Sequence, residues 1–265
     1  MLMKRLLMSI GILILGLTAC GGGNTASDVP IINDSNPIQW DRSPTAIIFR
    51  ADVTGGSTDP FLARSEVPGC TIYGDNHAIW VNELGVNNTQ VLEDRLTDDQ
   101  IRTFVSDLAI NQEFYKYTAK ADTQPFGDVK PVVETLTLFV NGVNHQTDAF
   151  GGWDYDYYQR IRQNCQQVSS APVLYVPTGG WVSAREAAYD PQSPAIPWNA
   201  ANNGLSLKDL AASGERKWIT DRNVGVFWHV FRSSPANIQF FEDNKQYQVA
   251  LEVPNITRDS PPAPA

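Results

Sequence analysis

Apolar positions along the chain fall into short runs of strand or helix period, separated by Gly, Asn and Asp. Residues 45–53 (TAIIFRADV) are apolar and β-branched and predict a strand, and 55–68 reads as a loop. Cys70-Thr71-Ile72-Tyr73 and Ala78-Ile79-Trp80-Val81 flank Gly74-Asp75-Asn76-His77. Asp75 and Asn76 tolerate the left-handed conformation of a tight turn, so this segment predicts a hairpin. Leu96-Thr97-Asp98-Asp99-Gln100 has the form of a capping box, with Thr97 as the cap and Gln100 three residues on. Asp98 and Asp99 suit the positive end of the helix it opens. Ile101, Phe104, Val105 and Leu108 follow at i, i+3, i+4 and i+7 and give that helix one buried face.

Residues 132–140 and 143–149 surround Asn141-Gly142, the strongest short hairpin signal. After the break at Gly151 and Gly152, Asp154 is placed to cap a helix to about residue 167, with Tyr158, Ile161 and Cys165 on one inward face. Residues 172–177 and 181–189 read as strands, and Pro191, Pro194 and Pro197 break the loop that follows. Residues 220–232 read as a helix with Val224, Phe227, Trp228 and Phe231 on one side, a strand being the rival reading. Residues 238–242 and 246–253 form a third hairpin across Asp243-Asn244. Hairpins joined by short helices imply an α+β fold: antiparallel sheets with a few helices packed on one face. A parallel α/β fold would need strict alternation of strands and helices.

The first twenty residues have another purpose. Lys4 and Arg5 precede a twelve-residue apolar run, 6–17, that ends in small residues. A bilayer span needs about 20 residues, so the run reads as a secretion signal rather than an anchor. Leu17-Thr18-Ala19-Cys20 resembles the lipobox of bacterial lipoproteins. The resemblance implies cleavage before Cys20 and diacylglycerol on its sulfur, and so a chain anchored by lipid outside the cytoplasm. A plain secretory leader ending in Cys is the alternative. The expected organisation is a signal peptide over 1–19, a flexible Gly/Ser-rich tether over 20–43, an α+β domain over 44–169, a second α+β region over 170–256 and a disordered tail over 257–265.

Composition narrows the partners. The chain has 265 residues with 20 Lys and Arg against 29 Asp and Glu, a formal charge of −9. The basic count is too low for a nucleic-acid protein. An acidic body is repelled by anionic headgroups, so membrane contact is expected through acyl chains alone. Three cysteines are present. With Cys20 lipidated, Cys70 and Cys165 remain in an oxidising compartment and are expected to form one disulfide, two buried thiols being the alternative.

Cys70-Thr71-Ile72-Tyr73-Gly74-Asp75, the helix opening Leu96-Thr97-Asp98-Asp99-Gln100 and the Asn141-Gly142 hairpin together resemble a family of uncharacterised bacterial envelope lipoproteins. In that family a T-x-Y-G-D-G hairpin is followed by an L-T-x-x-Q helix, an Asn-Gly strand pair and a second helix. The likeness covers residues 45–168 and continues thinly through Pro197-Trp198 and the last hairpin. Asn76 stands where the family has Gly, and Asn keeps the turn. The resemblance implies fold and location only, since the family has no established activity.

Candidate chemistry is sparse. Gly-x-Ser-x-Gly, Ser-x-x-Lys and glycine-rich phosphate loops are absent from the sequence, and no Cys or His spacing suggests zinc, so neither metal nor cofactor is expected. His77 and His145 lie in or beside turns near Asp75 and Asp148, a pattern open to acid–base use but equally that of solvated turn residues; His229 is the third imidazole. Trp153-Asp154-Tyr155-Asp156-Tyr157 sets aromatic faces beside carboxylates, which suits a sugar or a quaternary ammonium group. An N-capped helix with its aromatics in the core explains the same run. Calcium at Asp154 and Asp156 lacks the EF-hand pattern. The expectation is a non-enzymatic interaction or accessory module with an envelope protein partner; the alternatives are a solute-binding protein and a cryptic hydrolase.

Overall fold

The computed structural model describes residues 37–56, 59–120 and 130–265. Along the chain these form β1 (Ile47–Gly56), β2 (Cys70–Tyr73), β3 (His77–Gly85), β4 (Asn88–Arg95), α1 (Asp98–Ile110), β5 (Lys130–Val140), β6 (Val143–Asp148), α2 (Tyr157–Gln167) and β7 (Val173–Leu174). There follow β8 (Gly179–Ala187), β9 (Ala195–Pro197), α3 (Ala200–Asn203), α4 (Leu207–Ser213), β10 (Lys217–Thr220), α5 (Asp221–Ser233), β11 (Gln239–Glu242) and β12 (Lys245–Glu252). Seven strands make one antiparallel sheet in the order β6-β5-β1-β2-β3-β4-β7. Five make a second, β10-β8-β12-β11-β9, antiparallel except where β9 runs parallel to β11. The fold is α+β.

The turns follow from their residues. Asn76 has a positive φ of 67° between β2 and β3, and its N–H donates to the Tyr73 carbonyl. Asn141 and Gly142, both at positive φ, close β5 onto β6, and Asp243 and Asn244 do the same between β11 and β12. Such paired left-handed residues match the twist of the flanking strands. Gly74 answers a different demand. A Cβ there would lie 2.0 Å from the Asp41 carbonyl oxygen, so only glycine lets the segment before β1 cross the hairpin. The capping box of α1 is complete: the Gln100 N–H donates to Thr97 Oγ1 (3.2 Å) and the Thr97 N–H to Gln100 Oε1 (2.8 Å).

Two cores lie on opposite faces of the seven-stranded sheet. Ile48, Phe49, Ile72, Trp80, Leu136 and Leu138 pack against α1 and α2 on one face, and α2 adds Tyr158 and Ile161. Tyr73, Ile79 and Val91 point the other way and join α4, α5 and the second sheet, through Val182, Phe227, Phe240, Val249 and Leu251. The strands at the sheet's centre are therefore apolar on both faces, which explains their unbroken hydrophobic runs. The helices α1 and α2 occupy one face as expected, while the other face is covered by the rest of the chain. Residues 220–232, for which helix and strand were rival readings, form helix α5, with Val224, Phe227 and Trp228 buried.

Several expectations need correction. The tether does not extend to residue 43: Ile38 and Trp40 are buried in the first core, and Arg42 forms two 2.7 Å bonds to Asp98. Two apolar side chains two residues apart suffice to draw that segment onto the sheet. The tail does not begin at 257: Thr257 is buried, and Arg258 bonds Asp52 and Glu66. Helix α2 begins at Tyr157 rather than at a cap on Asp154; Asp154 offers only its carbonyl to the Tyr157 N–H, and the N-cap residue is Asp156, without a side-chain capping bond. The boundary placed at 169/170 is bridged, since β7 pairs with β4 and the second core draws on both sides of it. Strands β4, β9 and β10 and helices α3 and α4 add to the elements read from sequence, β9 pairing with β11 inside the segment that Pro191, Pro194 and Pro197 marked as a loop. Residues 1–36, including the leader, lie outside the described residues.

Cys70 and Cys165 are joined, tying β2 to α2 across the first core with Cα atoms 6.4 Å apart. The bridge spans 95 residues. Replacing both cysteines by Ala should lower the urea-unfolding free energy by about 2–5 kcal/mol. An equal loss for the unaltered chain under reductant, with no further loss for the variant, would assign the effect to the bridge.

Arg258 is a second tie. Its Nε and Nη2 donate to the two Asp52 carboxylate oxygens (2.7 and 2.8 Å) and its Nη1 to Glu66 (2.8 Å). The side chains of Arg258 and Asp52 are only 17% and 9% exposed. Arg258→Met should cost roughly 3 kcal/mol because it strands a buried carboxylate. Adding Asp52→Asn should recover part of that loss; a double variant no more stable than the single one would refute the account.

Candidate functional site

The aromatic and acidic run divides between core and solvent. Tyr157 is buried, its hydroxyl donating to the Gln112 carbonyl at 2.8 Å. Trp153 packs against the first core, with ring centroids 5.6 Å from Tyr157 and 6.3 Å from Tyr158, and its indole N–H donates to Thr147 Oγ1 at 2.8 Å. Asp154, Tyr155 and Asp156 are exposed, and Asp156 pairs with Arg160 one turn on. Helical spacing thus turns Tyr157 and Tyr158 inward and leaves the carboxylates outside, so the run is not gathered into one concave surface.

The imidazoles are likewise held apart. His145 is buried between the rings of Phe114 and Tyr115, and its Nε2 lies 2.7 Å from the Tyr117 carbonyl oxygen. His77, on β3, pairs with Glu93 on β4 at 2.8 Å and stacks on Tyr73. His229 is exposed on α5. Asp148 accepts from the N–H groups of Lys120 and Phe150, ordering the end of β6. Asp75 accepts from Arg95 and from the His77 N–H. These bonds give its carboxyl a pKa below the ordinary value although burial acts the other way. Among the described residues no group of three or more His, Cys, Asp or Glu side chains is placed to hold a metal ion. Cys20 lies outside the described residues.

A concave site exists elsewhere. A cleft of about 640 Å³ opens beside the ends of β1 and β3, with α2 on one side of it and the end of α5 and β12 on the other. Its walls carry Leu62, Val67, Val81, Phe231 and Val249, and three arginines reach it: Arg162 from α2, Arg232 from the last turn of α5 and Arg258 from the C-terminal segment. Asp52, Glu66 and Glu83 line it as well. The volume is that of a small-molecule pocket, and about half of the lining is polar or charged.

The charges are unevenly matched. Arg258 holds both Asp52 and Glu66. Burial disfavours its cation, yet the bonds to Asp52 and the charges of both carboxylates outweigh that and raise its pKa. Arg162 donates to Glu83 at 2.8 Å, and its Nε is buried without a partner. Arg232 pairs with no carboxylate among the described residues. Its Nη2 donates to the Ser65 carbonyl at 2.7 Å, its guanidinium lies 5.1 Å over the Trp228 ring, and its Nε is buried without a partner. Burial pushes its pKa down to about 10, with the charge of Glu66 acting the other way. Gly69, beside the cleft, leaves room for these groups: a Cβ there would meet the Arg162 Cδ at 2.9 Å and the Tyr158 hydroxyl at 3.2 Å.

The cleft was not visible in the sequence, because its walls come from segments far apart in the chain: Arg232 meets Ser65 across 167 residues. A weak signal existed in retrospect, a cationic side chain next to Phe231 in an apolar helix of an acidic protein. Comparison with protein-family models, with curated proteins and with solved structures finds no match to this chain.

Proposed function

We propose that this chain is a bacterial envelope lipoprotein, anchored through lipid on Cys20 outside the cytoplasm, whose folded body binds a partner rather than catalysing a reaction. The observation that carries the reading is the Cys70–Cys165 disulfide in a body that follows a leader ending in Leu17-Thr18-Ala19-Cys20. Structural disulfides belong to oxidising compartments, so the bridge and the leader point to the same side of the membrane. No helix among the described residues is long and apolar enough to cross a membrane, so attachment on this reading rests on the acyl chains.

None of the three imidazoles lines the cleft. His145 and His77 are each engaged in a contact that orders the fold, one with a backbone carbonyl and one with a cross-strand glutamate. An envelope protein is the expected partner. The binding surface on this reading is the folded body.

Metabolic labelling with radioactive palmitate, followed by membrane fractionation, tests the anchor. The unaltered chain should carry label and sediment with membranes. Cys20→Ala should lose the label and appear in the soluble extracytoplasmic fraction. Label retained by Cys20→Ala would refute lipidation at that residue. Cross-linking in intact cells with quantitative mass spectrometry tests the partner: one reproducible near-stoichiometric protein is expected, and none above background would overturn the interaction reading.

A further inference from the structure

The cleft contains one guanidinium, that of Arg232, with no carboxylate in contact. We propose that it is a binding site for a small organic monoanion, a carboxylate with an apolar body, whose carboxylate is taken by the Arg232 guanidinium. This inference goes beyond the lipid-anchored reading and does not depend on it.

Three observations carry it. First, all three carboxylates that line the cleft are engaged, Asp52 and Glu66 by Arg258 and Glu83 by Arg162, while Arg232 has none. A partly buried guanidinium without a contacting carboxylate leaves charge-assisted hydrogen bonds unmade, and an incoming carboxylate supplies their acceptor. Second, two guanidinium Nε groups in the same cleft, of Arg162 and Arg232, are buried donors without an acceptor. Such donors are uncommon in folded proteins and ask for a partner. The Arg232 fork is already fixed on two sides, by Ser65 below and the Trp228 ring beneath its plane, so little conformational entropy is lost when it binds. Third, the remaining wall of Leu62, Val67, Val81, Phe231 and Val249 is apolar, and the volume of about 640 Å³ suits a body well beyond a bare ion.

The same charges limit the ligand. The cleft carries three cations and three carboxylates, so its formal charge is zero and a single bound carboxylate, placed at the guanidinium that no carboxylate contacts, adds the least negative charge. A phosphate monoester or other multiply charged anion would bring additional charge close to Glu66 and Glu83. A neutral ligand of the same shape would bury the apolar wall but leave Arg232 unmatched.

The test uses the purified full-length chain, with isothermal titration of phenylacetate and of its neutral isostere phenylacetamide. Phenylacetate should bind more tightly by roughly tenfold or more, and Arg232→Gln should erase that preference while leaving phenylacetamide unchanged. Equal affinities, a preference that survives in Arg232→Gln, or no binding of either compound at about 10 mM would overturn the proposal. Photolabelling of the unaltered chain with 4-azidophenylacetate decides the location without any variant. Label on segments 62–67, 81–89 or 231–236 is expected, and label confined to other peptides would also overturn it.

Discussion

Tyr73, Ile79 and Val91 are apolar side chains on the face of the seven-stranded sheet opposite to α1 and α2. Strand geometry gives them no choice: once Cys70, Ile72, Ala78 and Trp80 point toward the helices, their neighbours must point away. An antiparallel sheet often leaves its second face to water, and here that would expose a tyrosine and two aliphatic side chains at the sheet's centre. The second half of the chain answers this constraint. Strands β8 and β12 and helix α5 supply the complementary apolar surface, and the Tyr73 hydroxyl donates to the Asn255 carbonyl at the far end of it. The two halves are thus layers of one structure. Arg258 reaches back to Asp52 and Glu66 because the chain's end is brought over β1 by that packing.

The parts of the fold that sequence made legible are those decided within a few residues. Asn76, Asn141-Gly142 and Asp243-Asn244 mark turns because left-handed backbone is a local property, and Thr97 with Gln100 marks a helix start because both bonds of the box close within one turn. Strand β4 was illegible since Asn88, Thr89 and Gln90 are polar, and it exists because β3 continues past Val81 and offers a ladder to pair with. Helix α4 is seven residues long with a modest pattern; it is held by Glu242, whose carboxylate accepts from the Leu207 and Lys208 N–H groups across 35 and 34 residues. The register of Ile38 and Trp40 on the first core is likewise a tertiary fact. The aromatic run at 153–157 drew notice by composition, but its residues divide at the start of α2 between a buried side and a wet one. The disulfide lay between: cysteine count and compartment favoured it, while the pairing geometry needed the fold.

The cleft is a consequence of the layered arrangement rather than of any motif. The ends of β1 and β3 meet α2, α5 and β12 here, and segments 62–69 and 234–236 fill only part of the gap. Placing Arg258 there brings two carboxylates into its grasp, and the Glu83 side chain is engaged by Arg162 from α2. This leaves Arg232 facing backbone and an aromatic ring. Stability alone does not account for that choice, since an apolar side chain at the end of α5 would cover Trp228 without burying a charge. Retaining the guanidinium is easier to explain when the cleft is occupied part of the time.

Charge acts on this site at two distances. The chain as a whole is acidic, with a formal charge of −9, and its field opposes the approach of any anion. That opposition is screened over about 8 Å at physiological ionic strength, so it changes how often an anion reaches the cleft mouth more than how firmly it is held. Inside, the nearest partners dominate, and there the guanidinium without a contacting carboxylate is that of Arg232. An acidic surface and a cleft holding one guanidinium free of carboxylate contacts are therefore compatible. The surface disfavours polyanions most strongly, because repulsion grows with ligand charge, while a single carboxylate with an apolar body meets the least resistance on the way in and the only unpaired guanidinium among those lining the cleft on arrival.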